Sequence, residues 1–254
     1  MAGASRAEIV GSPGPGHSQR VGLHVEVVAM LRSVVRPSGH PVSRVVAVLA
    51  VIGVAAVAIG CTGVRGEGAA GAETRQITSF SRVDVSYGID VVVAIGPARP
   101  IEVRAQRNIL PLVTTSVDGD TLRVAASREL DPLAGVTVLI SVPDLRALAL
   151  SGGSDGTVTS YGGQQLDVAM TGGGDLTASG TADVVSIVAS GGSEVHFGDL
   201  SVGTLDVQLS GGSTVDARVS DAVRGSASGG AHVTVAGPAV LNVQASGGAT
   251  VERH

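Results

Sequence analysis

Hydrophobic and polar residues alternate along the second half of the chain, and a short glycine motif interrupts the alternation at regular intervals. The motif is Ser-Gly-Gly or Thr-Gly-Gly, and its copies begin at Ser151, Thr171, Ser190, Ser210, Ser228 and Ser246. Successive copies lie 18 to 20 residues apart. A two-residue alternation places one set of side chains on each face of a β-strand. The pattern therefore predicts short strands joined at glycine corners.

Alignment of the copies on the Ser or Thr gives columns of residues that should share an orientation. The residue before the motif is apolar in every copy: Leu150, Met170, Ala189, Leu209, Ala227 and Ala245. A second inward column follows the glycines and contains Gly156, Leu176, Val195, Val215, Val233 and Val251. The column beside it should point outward and contains Asp155, Asp175, Glu194, Thr214, His232 and Thr250.

One copy is too short to bury its own apolar face, so the copies must stack on one another. We therefore predict an all-β fold, a parallel β-helix or β-solenoid of 18–20-residue coils with an irregular β-rich N-terminal half or cap. Glycine pairs would supply corners with positive φ, which β-branched residues avoid. These structural corners are Gly152, Gly153, Gly172, Gly173, Gly191, Gly192, Gly211, Gly212, Gly229, Gly230, Gly247 and Gly248.

The stretch 76–145 is rich in predicted strands but lacks the glycine corners. Apolar runs occupy 89–95, 121–124 and 136–140, and Gly119-Asp120 predicts a hairpin turn between two of the strands. We expect either irregular early coils or a β-cap that covers one end of the stack.

The N-terminal quarter carries export signals. Arg32, Arg36 and Arg44 precede an apolar run over 45–59, and Cys61 follows Gly60 directly. A basic segment, an apolar segment and small residues at the cut are typical of a secretory signal. The end of the run resembles the lipobox of bacterial lipoproteins, which implies cleavage before Cys61 and attachment to membrane lipid there.

Two alternatives to the lipoprotein remain open. Ala58 stands where the lipobox usually has Leu, and 45–64 is long enough to remain as a membrane-spanning helix. An ordinary signal peptide with an incidental cysteine is the second alternative. The lipid anchor and the retained span both place the body on the extracytoplasmic face of the cell membrane, because arginines hold the N-terminus inside.

These observations divide the chain into five parts. Residues 1–29 fit neither signal nor fold and form a doubtful or disordered extension, with Met30 as an alternative start. Residues 30–60 are the signal or membrane segment, and 61–75 are a lipid-anchored flexible tether. Residues 76–145 are the β-rich N-terminal part of the head domain, and 146–254 are the Ser-Gly-Gly solenoid.

The charge of the chain argues against nucleic-acid partners, and its cysteine content excludes an intramolecular disulfide. The net charge is −5, and no arginine or lysine lies between Arg146 and Arg218, a stretch that holds eight acidic residues. Such a surface repels phosphate backbones, so we expect no nucleic-acid binding. Cys61 is the single cysteine, so no intramolecular disulfide can form.

Few residues in 76–254 are candidates for catalysis or metal binding. His196 and His232 fall in different columns, no Gly-x-Ser-x-Gly motif surrounds the serines, and no aromatic platform for sugars is evident. We therefore expect no catalytic site and no cofactor, with a carbohydrate-active β-helix enzyme as the less favoured alternative. Asp155, Asp175 and Glu194 would stack in one column and could bind calcium weakly, although a solvated acidic face is the simpler explanation.

One combination of motifs resembles a known family. Val83-Asp84-Val85 before Gly88-Ile89, then Gly119-Asp120-Thr121-Leu122, then Val142-Pro143-Asp144-Leu145 and the Ser-Gly-Gly copies are similar to the auto-transporter adhesin head GIN domains. The resemblance covers about residues 78–250 and implies a parallel β-helix-like domain on exported, often lipid-anchored bacterial proteins. That family has no established biochemical function and implies no catalytic residues.

The resulting functional hypothesis is a non-catalytic, envelope-anchored surface domain that is adhesive or binds a partner. An envelope sensing or structural lipoprotein is the alternative. The expected partners are membrane lipid at Cys61 and an envelope protein or glycan of unknown identity, and nothing in the sequence indicates an oligomeric state.

Overall fold

The computed structural model describes residues 63–131 and 133–254, and within them fifteen strands form one hydrogen-bonded sheet. The strands of the N-terminal part are β1 (Ala70–Arg75), β2 (Arg82–Val85), β3 (Asp90–Ile95), β4 (Ile101–Gln106), β5 (Val113–Asp118), β6 (Thr121–Ala126), β7 (Thr137–Val142) and β8 (Ala147–Ser151). A 3₁₀ turn occupies Leu110–Leu112. The strands of the repeats are β9 (Gly156–Gly172), β10 (Asp175–Gly191), β11 (Glu194–Leu209), β12 (Thr214–Ala227), β13 (His232–Ala236), β14 (Val240–Ala245) and β15 (Thr250–Arg253).

The repeats form the predicted parallel β-solenoid. Strands β9, β10, β11 and β12 pair in parallel in chain order, and β12 then pairs with both β13 and β14. Leu176 lies opposite Gly156 on one side and Val195 on the other, as the alignment of the copies requires. The fold class predicted from the sequence is confirmed.

The inward columns of the repeats form the core. In the column after the glycines, Leu176, Val195, Val215 and Val233 are fully buried, whereas Val251 in the last coil is half-buried. Phe197 is also fully buried, and it is the largest of the fully buried side chains. Aliphatic columns of this kind fill the narrow interior with few large rings.

The corners use their two glycines differently, which corrects part of the prediction. The first glycine of each pair has positive φ, between +67° at Gly152 and +107° at Gly172. Among the second glycines, Gly153 alone has positive φ. The second glycine instead continues the main-chain ladder, since the Gly192 N–H donates to the Gly172 carbonyl at 2.7 Å. Positive φ therefore explains the first glycine of the motif and not the second.

Strand β10 has a further bend that the sequence analysis did not identify. The long strands change register between Thr177 and Ser179, and Gly180 adopts φ +125° beside Tyr161 of the previous coil. A side chain at Gly180 would place its Cβ 2.1 Å from the Tyr161 carbonyl oxygen. Close approach of two backbones thus requires glycine at this bend.

A buried column of serines lies three residues after the motif's Ser and was also missed. Ser154, Ser193 and Ser213 are almost fully buried. Each hydroxyl donates to the carbonyl of the corner serine three residues earlier, at 3.0, 3.3 and 2.9 Å respectively. These bonds satisfy polar groups that would otherwise be costly to bury.

The N-terminal part combines both expected arrangements. Strand β2 pairs in parallel with β6 and β8, and β3 pairs in parallel with β7 and β9, so the stack continues into this region. Strands β1, β4 and β7 instead pair antiparallel, and β5 and β6 form the predicted hairpin with Asp118 opposite Thr121. The region is thus an irregular extension of the solenoid with antiparallel strands added to it.

No helix in residues 63–131 and 133–254 is long and apolar enough to cross a membrane. Cys61, the signal segment and nearly all of the candidate span at 45–64 lie outside the described residues, so these interpretations stay predictions.

Candidate binding surface

The predicted outward carboxylates form a continuous line on the solenoid. Asp175 lies opposite Glu194 in the paired strands, and Asp155 precedes Gly156, which lies opposite Leu176. All three acidic residues are exposed. The Asp175 N–H donates to Asp155 Oδ1 at 2.9 Å, so one carboxylate also caps the backbone of the next coil.

Asp90 of the N-terminal part extends this line, and the sequence analysis did not include it. Val91 lies opposite Gly156, which places Asp90 beside Asp155. Partial burial raises the pKa of Asp90, the Asp155 N–H that donates to Asp90 Oδ1 at 3.4 Å opposes the rise, and the Asp155 charge adds to it. We call Asp90, Asp155, Asp175 and Glu194 the acidic ladder.

A cleft opens at the N-terminal end of the acidic ladder. Its walls are the turn 86–90 between β2 and β3, the first glycine corner at 151–155, and residues 129–131 and 133–135 between β6 and β7. The cleft has a volume of about 710 Å³. It is lined by Ser86, Tyr87, Gly88, Asp90, Glu129, Leu130, Gly135, Ser151, Gly152, Gly153 and Asp155. We call it the Tyr87 cleft.

Hydrogen bonds between main-chain segments hold these walls together. The Ile89 N–H donates to the buried Ser154 hydroxyl at 3.1 Å, which joins the turn to the corner. The Asp90 N–H joins the turn to the end of the third wall, since it donates to the Val136 carbonyl at 2.9 Å. The corner and the turn are in close contact, because a Cβ built on Gly152 would lie 3.2 Å from the Tyr87 nitrogen.

Tyr87 is an exposed aromatic residue in a chain that has four aromatics. Its side chain is 53% exposed, whereas Phe197 and Tyr161 are buried and Phe80 is half-buried. It also adopts φ +69°, a conformation that is unfavourable for a residue with a Cβ. The sequence analysis named no aromatic platform for sugars, and the structure exposes one ring at this position.

The acidic residues of the cleft have no arginine partner among the described residues. Five arginine–carboxylate pairs occur in that part of the chain, and none includes Glu129 or a member of the acidic ladder. Glu194 at the other end of the ladder has a histidine neighbour, with His196 Nε2 at 3.6 Å from Glu194 Oε2. The cleft is thus a region of uncompensated negative charge.

The side chains considered for metal binding and catalysis lie along the stack rather than in one cluster. In the described ranges, no three His, Cys, Asp or Glu side chains converge as a group that could hold a metal ion. The carboxylates of Asp155, Asp175 and Glu194 follow a line along the stack, so calcium binding there stays a prediction. His232 contacts Thr250 rather than His196. The hydroxyls of the corner residues Ser151 and Ser228 donate to main-chain carbonyls.

Comparison with known proteins finds a matching family and similar solved structures. The model of the family described as "Putative auto-transporter adhesin, head GIN domain" matches residues 79–239. The crystal structure of a "putative adhesin" from Bacteroides fragilis is similar over 76% of this chain and 100% of its own, with a TM-score of 0.62 at 14% identity. That likeness supports the fold.

Two weaker structural likenesses involve Parabacteroides distasonis. A "putative adhesin" matches over 76% of this chain and 100% of its own, with a TM-score of 0.47 at 18% identity. A "putative lipid binding protein" matches over 75% of this chain and 99% of its own, with a TM-score of 0.45 at 12% identity. No curated protein sequence matches this chain significantly.

Proposed function

Because this chain belongs to the auto-transporter adhesin head GIN domain family, we propose that it is a non-catalytic, envelope-anchored domain that binds a partner at the cell surface. The observation that carries the proposal is the acidic ladder with the cleft at its end. The ladder is outward-facing, it is built on paired strands, and none of its carboxylates has an arginine partner among the described residues.

A rigid ladder is suited to binding rather than to chemistry. Equivalent residues of adjacent coils repeat at about 4.8 Å, the spacing of paired strands, so the surface offers evenly spaced carboxylates to an extended partner. The main-chain bonds between coils fix the ladder before a partner arrives, which lowers the entropy cost of association.

Adhesion predicts a specific loss of capture when the ladder is neutralised. The test is a pull-down from crosslinked cells with the full chain and with the variant Asp155→Asn, Asp175→Asn, Glu194→Gln. A matched control, Asp183→Asn, Asp199→Asn, Asp221→Asn, removes the same charge from exposed residues outside the ladder. We expect the ladder variant alone to lose an envelope protein or glycan that the wild-type chain captures.

Other outcomes of that pull-down discriminate the alternatives. Capture of a single membrane protein by all three forms would favour an envelope sensing role independent of the ladder. Capture of nothing by the wild-type chain would favour a purely structural lipoprotein. Release of product from acidic or neutral glycans by the purified chain would contradict the non-catalytic proposal.

Anchoring at Cys61 has a separate test. Lipid attachment provides stable membrane association when two or more acyl chains are present. We expect the wild-type chain to incorporate labelled fatty acid and to lack the mass of the residues before Cys61, and Cys61→Ser to show neither change because its apolar segment is not removed. A wild-type chain that stays in the membrane fraction unlabelled and uncleaved would instead support a membrane span at 45–64.

A further inference from the structure

We infer that the Tyr87 cleft binds the guanidinium or ammonium group of a basic peptide, held between the Tyr87 ring and the carboxylates of Asp90, Asp155 and Glu129. This inference rests on the proposed binding role and adds the chemical class of the ligand and its place on the surface. Three independent properties of the cleft support it: its exposed ring, its charge and its shape.

The exposed ring is the first property. The chain contains two Phe, two Tyr and no Trp, and Tyr87 is the one whose side chain is more than half exposed. At φ +69° a glycine would be the favoured residue, as it is at the neighbouring Gly88. A tyrosine in this conformation places a ring on the rim of the cleft at a conformational cost. Aromatic faces attract guanidinium and ammonium groups within about 6 Å of the ring centre.

The charge of the cleft is the second property. Asp90, Asp155 and Glu129 line it, and its lining residues include no arginine, lysine or histidine. Among the described residues none of these three carboxylates forms an ion pair. Burial and the neighbouring charge already raise the pKa of Asp90, so a bound cation would relieve an existing electrostatic penalty. An anionic ligand would add to that penalty.

The shape of the cleft is the third property. Its volume of about 710 Å³ lies within the range of small-ligand sites and is large enough for a long basic side chain with its flanking backbone. A Cβ built on Gly153 in one wall would meet nothing within 4 Å, so a peptide could approach the main chain of the corner closely there. The Ser154 hydroxyl that accepts the Ile89 N–H holds two of the walls at a fixed separation.

Binding of hexa-arginine to the full chain tests the inference. Titration would be followed by NMR shifts and calorimetry at low and at physiological salt, with hexa-serine and hexa-glutamate as matched peptides. We expect hexa-arginine alone to bind, with affinity that falls as salt rises because ionic attraction is screened. Wild-type shifts should concentrate at the turn 86–90 and the corner 151–155.

Tyr87→Gly is the decisive variant, because glycine suits the backbone conformation of this position and the fold should be retained. We expect it to weaken hexa-arginine binding at least fivefold while the thermal unfolding curve stays close to that of the wild-type chain. The double variant Asp90→Asn, Glu129→Gln should weaken binding at least tenfold. The control Asp183→Asn, Asp221→Asn removes the same charge elsewhere and should change affinity less than twofold.

Three results would overturn the inference. Equal binding by Tyr87→Gly and the wild-type chain would show diffuse attraction to the acidic surface rather than a site. Tyr87-dependent binding of a neutral oligosaccharide without peptide binding would assign the cleft to sugars. Absence of any hexa-arginine binding would exclude a basic peptide as the ligand of the cleft. The proposed binding role would still be tested separately by the ladder-dependent pull-down.

Discussion

The repeats and the N-terminal part are built from the same sheet, yet they obtain their stability and their chemistry in different ways. In the repeats every strand pairs in parallel with a copy of itself, and aliphatic columns fill the core. In the N-terminal part short strands pair in both directions. All five arginine–carboxylate pairs of the described residues also lie within Arg65–Arg146.

This difference shows where a repetitive fold can acquire a site. A side chain in the repeats lies between equivalent positions of the coils above and below, so its surroundings are repeated along the stack. The N-terminal strands lack such copies, and the strained Tyr87 turn is found among them. The Tyr87 cleft lies where the two regions meet, with walls from both.

The largest expected effect concerns the core of the repeats. Phe197→Ala removes a fully buried ring from a stack that cannot collapse around the space without moving adjacent coils. We expect a loss of about 3–5 kcal/mol in the free energy of unfolding, measured by chemical denaturation. The matched change Phe80→Ala, at a half-buried residue of the N-terminal part, should cost less than half as much. Equal losses would contradict the view that a ring contributes most inside the repeats.

Substitution of the two glycines of one corner should differ almost as much in its effect on the free energy of unfolding. Gly191 has φ +92°, and a Cβ there would lie 2.3 Å from the Gly172 carbonyl oxygen, whereas a Cβ at Gly192 meets nothing within 4 Å. We expect Gly191→Ala to destabilise the protein by roughly 2–4 kcal/mol. Gly192→Ala should stay within about 1 kcal/mol of the wild-type value and could raise it, since alanine restricts the unfolded chain. The same denaturation experiment on both variants checks this.

Two buried serines allow a comparison of the boundary between the N-terminal part and the repeats, at Ser154, with the interior of the repeats, at Ser213. The Ser154 hydroxyl donates to Ser151 and also accepts the buried Ile89 N–H, whereas the Ser213 hydroxyl has a single bond to Ser210. Ser154→Ala should therefore cost about 1–3 kcal/mol, because it leaves a buried N–H unpaired. Ser213→Ala should cost about 1 kcal/mol or less, since Ala231 is fully buried at the equivalent position of the next coil. A larger loss for Ser213→Ala would contradict this ranking.

The smallest expected effect is a pH dependence at Asp90. Its pKa is raised above the ordinary value of 3.8, so the folded state binds a proton more readily than the unfolded state. The resulting penalty is absent below pH 3.8 and develops as the pH rises through the folded-state pKa. Asp90→Asn should therefore raise the melting temperature at pH 7 and leave it nearly unchanged at pH 3. An equal shift at both pH values would point to a cause other than ionisation.

The repeats could be predicted from the sequence because each coil pairs with another copy of the same motif. Once the motifs were aligned, the columns headed by Gly156 and Asp155 followed, and the paired strands match them residue for residue. Within the repeats, the prediction was wrong about the backbone conformation of the second corner glycine. The sequence cannot distinguish a glycine that needs positive φ from one that only faces open space, as Gly191 and Gly192 illustrate.

The cleft could not be predicted, because no repeat connects its parts. Asp90 joins the acidic ladder through a strand pairing that spans 65 residues, and Glu129 arrives from a loop with no equivalent elsewhere. The exposure of Tyr87 depends on a turn conformation that its neighbours impose. The glycine after it, Gly88, was a local signal for that turn, but it gave no indication of what the ring faces.

The similar length of the coils determines how far the domain would extend at each step under mechanical load. Each coil is held by parallel ladders to the coil before it, and the copies recur every 18 to 20 residues. Detachment of one coil would release roughly 60–70 Å of extended chain. Force applied along the stack would then lengthen it in steps of similar size, each dissipating work before the next ladder breaks.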